Sequence, residues 1–81
     1  MVRTSGKLDP NDTLKRIGAD IRARRIELGM SQEALADAAG VDRSHMGKIE
    51  RGERNVTILL LERVARAIGT SIAAVTTSSK V

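Results

Sequence analysis

The sequence predicts an all-α domain of five short helices around an aliphatic core. Three observations carry that expectation: apolar residues recur at helical intervals, capping residues and glycines punctuate the recurrences, and no stretch alternates with the period of two of a half-buried strand. With 81 residues, of which 41% are hydrophobic, the chain has room for one core and not for two. Residues 1–12 hold Ser5-Gly6-Lys7 and Asp9-Pro10-Asn11 and lack apolar periodicity, so they read as a flexible N-terminal arm. Residues 13–76 are the expected domain and 77–81 a flexible C-terminal tail, and no internal repeat is present.

The first helix is expected over about Thr13 to Leu28, with Leu14, Ile17, Ile21 and Leu28 on one stripe. Asp12 or Thr13 is available to cap its start, and Gly29 to take the left-handed conformation at its end. Ser31 caps a short second helix that reaches about Ala38, with Glu33 adding negative charge at its N-terminal end. Gly40 breaks the period, and Asp42 caps a third helix that runs to about Arg51 and is closed by Gly52. Thr57 caps a fourth, whose stripe is Ile58, Leu61, Val64, Ala65 and Ile68, stopped by Gly69. Ser71 opens a fifth, Ile72 to about Val75.

Composition removes whole classes of function. Zero cysteines exclude disulfides, thiolate zinc sites and cysteine nucleophiles, and fit a reducing cytosol. One histidine, with no nucleophile beside a base, no metal cluster and no phosphate loop, argues against an enzyme, a metal site or a cofactor. Without aromatic residues there is no stacking platform for single-stranded nucleic acid. The longest apolar run, Ile58 to Leu61, is too short for a membrane span or signal region, so a cytoplasmic protein with no membrane partner is expected. Fourteen Lys and Arg against ten Asp and Glu give a net charge of +4, which favours a polyanionic partner where the positive charge clusters.

Gln32 to Glu50 holds the sharpest pattern. Leu35, Ala36, Ala39, Gly40, Val41, Met46 and Ile49 occupy the positions that two helices need when joined steeply by about three or four residues. Ala36 leaves room for the third helix, and Gly40 supplies the backbone shape of the turn. The third helix then turns Arg43, Ser44, Gly47, Lys48 and Arg51 outward, with His45 at the edge, a polar and basic face suited to a DNA major groove. Gly47 costs about 1 kcal/mol relative to Ala inside a helix, so either the groove or another backbone comes close there or the glycine is simply tolerated, with close approach the favoured reading.

On these residues the stretch from about Ile17 to Val75 resembles the Cro and phage-repressor (XRE-type) helix-turn-helix family. The resemblance is carried by Ile21-Arg22-Ala23-Arg24-Arg25, Leu28 through Ala36, Gly40-Val41-Asp42-Arg43-Ser44, Ile49-Glu50-Arg51-Gly52 and Ala65-Arg66-Ala67-Ile68-Gly69. Asp42-Arg43-Ser44-His45 and Arg54-Asn55-Val56-Thr57 are also similar to the controller proteins of restriction-modification systems. The resemblance implies a lambda-repressor-like five-helix fold and a homodimeric transcriptional regulator on a near-palindromic double-stranded operator. By the same resemblance Arg43, Ser44 and Lys48 read bases, Arg43 through guanine O6 and N7. Gln32, His45, Arg51, Arg54 and Asn55 would hold phosphates, with His45 otherwise a plain boundary residue and Arg54 otherwise at a groove edge in the middle of the operator. Arg25 would pair with Glu50 between the first and third helices, and Arg24 or Arg22 would belong to a solvated face more than to a DNA contact.

Leu59 and Leu60 depart from the family, which usually has polar residues there. With Ile72 and Val75 they are expected to form the dimer interface, the alternative being core residues of an irregular helix start. No small-molecule ligand is expected, so regulation would follow concentration and operator arrangement. The rival readings are an antitoxin-like interaction module that autoregulates its own operon and a sequence-independent DNA-compacting protein.

Overall fold

The structure, a computed structural model, describes residues 12–78. Its order is α1 (Thr13–Glu27), α2 (Gln32–Ala39), α3 (Arg43–Arg51), α4 (Ile58–Ala67) and α5 (Ile72–Ser78), with no strand among the described residues. The expected arm at 1–12, apart from Asp12, and the end of the expected tail, 79–81, lie outside the described residues.

Local chemistry sets most of the helix boundaries. The side chains of Ser31, Asp42 and Thr57 each accept a backbone N–H three residues on, from Ala34, His45 and Leu60. Each satisfies one of the donors a helix start leaves open. Ser71 does the same for Ala74. Asp12 is different: it stands in the left-handed region at φ 53° and its side chain makes no capping bond. Gly40, at φ 76°, closes α2 with paired bonds in which Gly40 N–H donates to Asp37 and Val41 N–H to Ala36. An L side chain is disfavoured in that conformation, so glycine there lets the chain reverse within three residues and start α3.

The core gathers Ile21 from α1, Leu35, Ala36 and Ala39 from α2, and Met46 and Ile49 from α3. Leu61, Val64 and Ala65 from α4, Ile68 just after it, and Val75 from α5 complete it. α2 packs on both α3 and α4, while α1 lies across α3 and α5. The α1–α3 crossing is tight at Gly18, where a Cβ would collide with the backbone carbonyl oxygens of Ile49 and Glu50.

Several expectations need correction. Val75, assigned to a dimer surface, is fully buried, because α5 turns it inward against α1 and α4. Ile58, assigned to the core, is 68% exposed. As the first residue of α4 it projects toward the helix N-terminus, past the end of the core. Leu28 shares the helical angle of Ile21 but lies beyond the end of α1 and stays exposed; Met30, folded back after Gly29, packs against the core instead. α5 continues to Ser78, past the expected end at Val75 and into the expected tail. The Thr76 hydroxyl donates to the Ile72 carbonyl, which keeps a polar β-branched residue inside the helix.

Candidate nucleic-acid interface

α3 begins at the Asp42 cap and carries its polar residues outward. Arg43 and Ser44 are exposed in its first turn, Lys48 is half-buried one turn later, and Arg54 and Asn55 are exposed in the loop that follows. The side chains of Arg43 and Lys48 make no hydrogen bond or ion pair among the described residues, so both cations are available to a partner. The Ser44 hydroxyl is engaged: it donates to Asp42 Oδ1 at 3.0 Å. That carboxylate also accepts the His45 backbone N–H at 2.8 Å. The His45 N–H first, and the Ser44 hydroxyl second, hold the Asp42 carboxyl below its ordinary range, since both donate to the ionised form. His45 itself is half-buried at the edge of the face.

Gly47 departs from the outward position expected of it. It is buried, and an added Cβ would meet the ends of the Arg51 and Gln32 side chains rather than another backbone. Gln32, at the start of α2, therefore lies across α3 at this point. Its Nε2 donates to Glu50 Oε1 at 3.1 Å. Glu50 is buried, its side chain 1% exposed, and also receives Arg25 Nε at 2.7 Å and Arg25 Nη2 at 3.1 Å. Arg25 donates a third bond to the Met30 carbonyl, so α1, the α1–α2 turn, α2 and α3 meet in one polar knot. Every buried polar side-chain atom among the described residues has a partner, which removes the usual penalty of burying such a group.

Arg51 is exposed and paired with Glu53, Nε to Oε2 at 3.0 Å. The hydrogen bond, and after it the attraction of opposite charges, raises the Arg51 pKa; the same bond lowers that of Glu53. Arg24 is engaged with Asp20 at 2.8 Å, in keeping with a solvated charged face on α1. The expected dimer residues divide. Leu59 is 71% exposed and Ile58 lies beside it, while Leu60 and Ile72 are half-buried against the core.

Three structural features around this face escape sequence reasoning. Gly18 left one signal, a glycine inside a helical period. Glu53 left only its closeness to Arg51. Arg63 left none: on α4, its Nε donates to the Ala39 carbonyl at 2.9 Å and its Nη2 to the Gly40 carbonyl at 3.3 Å, residues 24 and 23 positions away.

Comparison with known proteins bears on this arrangement directly. The pattern of the family described as Helix-turn-helix matches residues 21–75. Control protein C.SmaI of Serratia marcescens is 39% identical over 56 residues, covering 69% of this chain and 67% of its own. Among solved structures, the clp gene regulator ClgR from Corynebacterium glutamicum superposes with a TM-score of 0.80 at 31% identity, over 83% of this chain and 71% of that one. The restriction-modification controller protein C.Esp1396I, solved as a tetramer in complex with its natural 35 base-pair operator, superposes with a TM-score of 0.74 at 33% identity, over 83% and 88% of the two chains. The α2–turn–α3 unit, the buried knot behind it and these matches together make the chain a member of the helix-turn-helix family, of the Cro and phage-repressor type.

Proposed function

We propose that this protein is a sequence-specific double-stranded DNA-binding transcriptional regulator that binds a near-palindromic operator as a homodimer, with α3 in the major groove. The observation that carries the reading is the face of α3 that presents Arg43 and Lys48 unpaired, beside a Gln32 held in place by a buried ion pair. Arg43, Ser44 and Lys48 are the proposed base-reading residues. Gln32, His45, Arg51, Arg54 and Asn55 are the proposed phosphate contacts, which set register without carrying sequence information. Arg25 and Glu50 serve the site by positioning Gln32. The dimer contact is assigned to Leu59 with Ile58, flanked by Leu60 and Ile72. Exposing two large aliphatic side chains side by side is unfavourable unless a partner covers them. Such a dimer sets two recognition helices about one DNA turn, roughly 34–36 Å, apart. The role is one of binding without catalysis, exercised in the cytoplasm at the nucleoid.

Selection of bound duplexes from a random pool at about 150 mM salt, where purely electrostatic binding is weakened, tests the reading. A two-fold symmetric motif is expected. On the recovered sequence Arg43→Ala should cost about 1–3 kcal/mol and relax discrimination at one base pair per half-site. Recovery of no motif from the folded protein would overturn it.

A further inference from the structure

Arg63 belongs neither to the face of α3 nor to the exposed apolar pair, yet it joins the elements that carry them. Its guanidinium spans the last carbonyls of α2, those of Ala39 and Gly40, which the closing bonds of that helix leave without a backbone donor. A cation there also complements the negative end of the α2 dipole. Between α2 and α4 the core draws on Leu35, Ala36 and Ala39 of one helix and Leu61, Val64 and Ala65 of the other, and the burial of aliphatic surface is itself non-directional. The fork of Arg63 is directional and is anchored in the turn itself. Leu59 lies four residues before Arg63, one helical turn along the same side of α4. The polar tie and the exposed leucine thus occupy adjacent turns of one helix.

We propose that Arg63 is a positioning residue that fixes the angle between α4 and the α2–α3 unit, and through it the separation of the two recognition helices in the dimer. Arg63 touches no DNA in this role; it selects the spacing between half-sites rather than their sequence. The inference rests on the proposed dimer contact through α4. Rigid placement of two half-site readers couples their binding, and loosening the tie removes that coupling without altering either reader.

The test uses Arg63→Met, which keeps the stem and removes the donors, and Arg63→Lys, which keeps the charge and one point of attachment. Each is measured on a single half-site, on the operator recovered by selection, and on versions with one base pair added or removed between half-sites. For Arg63→Met the preference for the recovered spacing should fall by about fivefold or more, with half-site affinity and dimer dissociation constant changed by less than about twofold. Arg63→Lys should fall between it and the parent, and supplies the measurement if Arg63→Met does not fold. An equal loss on every duplex would overturn the inference, as would an unchanged spacing preference in the variant measured. A Leu59→Glu protein that still dimerises would defeat the dimer contact itself, and with it the lever on which Arg63 acts.

Discussion

Replacing Gly18 with alanine should destabilise the protein, although the same change in an ordinary helix interior would stabilise it. Alanine gains about 1 kcal/mol over glycine in helix propensity. Against that, the new Cβ would lie 2.5 Å from the Glu50 carbonyl oxygen, and closer still to that of Ile49, where ordinary contact begins near 3.4 Å. Both obstacles are backbone in a packed helix, so α1 must retreat from α3 by about 1 Å instead of a side chain rotating away. Overpacking costs typically reach about 3 kcal/mol, which leaves a net loss of about 2 kcal/mol after the propensity gain. For a domain of this size that corresponds to a fall of roughly 8–16 °C in melting temperature. The retreat would also stretch the 2.7 Å bond from Arg25 to Glu50 and displace Gln32, so operator affinity should fall with stability. Urea and thermal unfolding followed by circular dichroism measure the effect, with Ala19→Gly, exposed on the same helix, as the propensity control at about 1 kcal/mol of loss. A Gly18→Ala protein as stable as the parent, or more so, would refute the close-approach argument.

Arg25→Met should cost about 3–5 kcal/mol by stranding the buried Glu50 carboxylate, whereas Arg25→Met with Glu50→Leu should recover most of that loss; a double-mutant cycle by urea unfolding measures both. Glu53→Gln frees Arg51 for phosphate and should raise operator affinity, steepening the log–log salt slope by about 0.9 in a titration over several salt concentrations. Asp42 is held below its ordinary value of 3.8, so its folded form carries the lower pKa. Its contribution to stability is therefore complete above that value and is lost as pH falls through the lowered one. Thermal melts across this acid range should show Asp42→Asn losing less stability with acid than the parent.

The sequence exposes those parts of the fold that are decided within a few residues. The caps at Ser31, Asp42 and Thr57 and the reversal at Gly40 are local chemistry, and the helices begin and turn there. Helical period is a weaker guide, because it gives the angle of a side chain and not how far along the axis the core extends. Ile58 and Leu28 sit at inward angles but beyond the ends of the packed layer, and Val75 is buried by a helix whose docking no local pattern reveals. Long-range polar contacts are the least legible. The pairing of Arg25 with Glu50, 25 positions apart, is expected only through family resemblance, and the reach of Arg63 to the turn is not encoded in any spacing.

The outward side of α3 holds almost nothing of the protein together. The side chains of Arg43 and Lys48 make no hydrogen bond or ion pair with the rest of the described chain, and cohesion resides in Met46, Ile49 and Glu50 on the opposite side. On the proposed assignment of Arg43 and Lys48 as base readers, recognition can therefore drift while folding is conserved: exchanging either side chain would change the target without a compensating change elsewhere. Ser44 is the exception, because its hydroxyl also bonds the Asp42 cap, so an exchange there alters the helix start together with its proposed base contact.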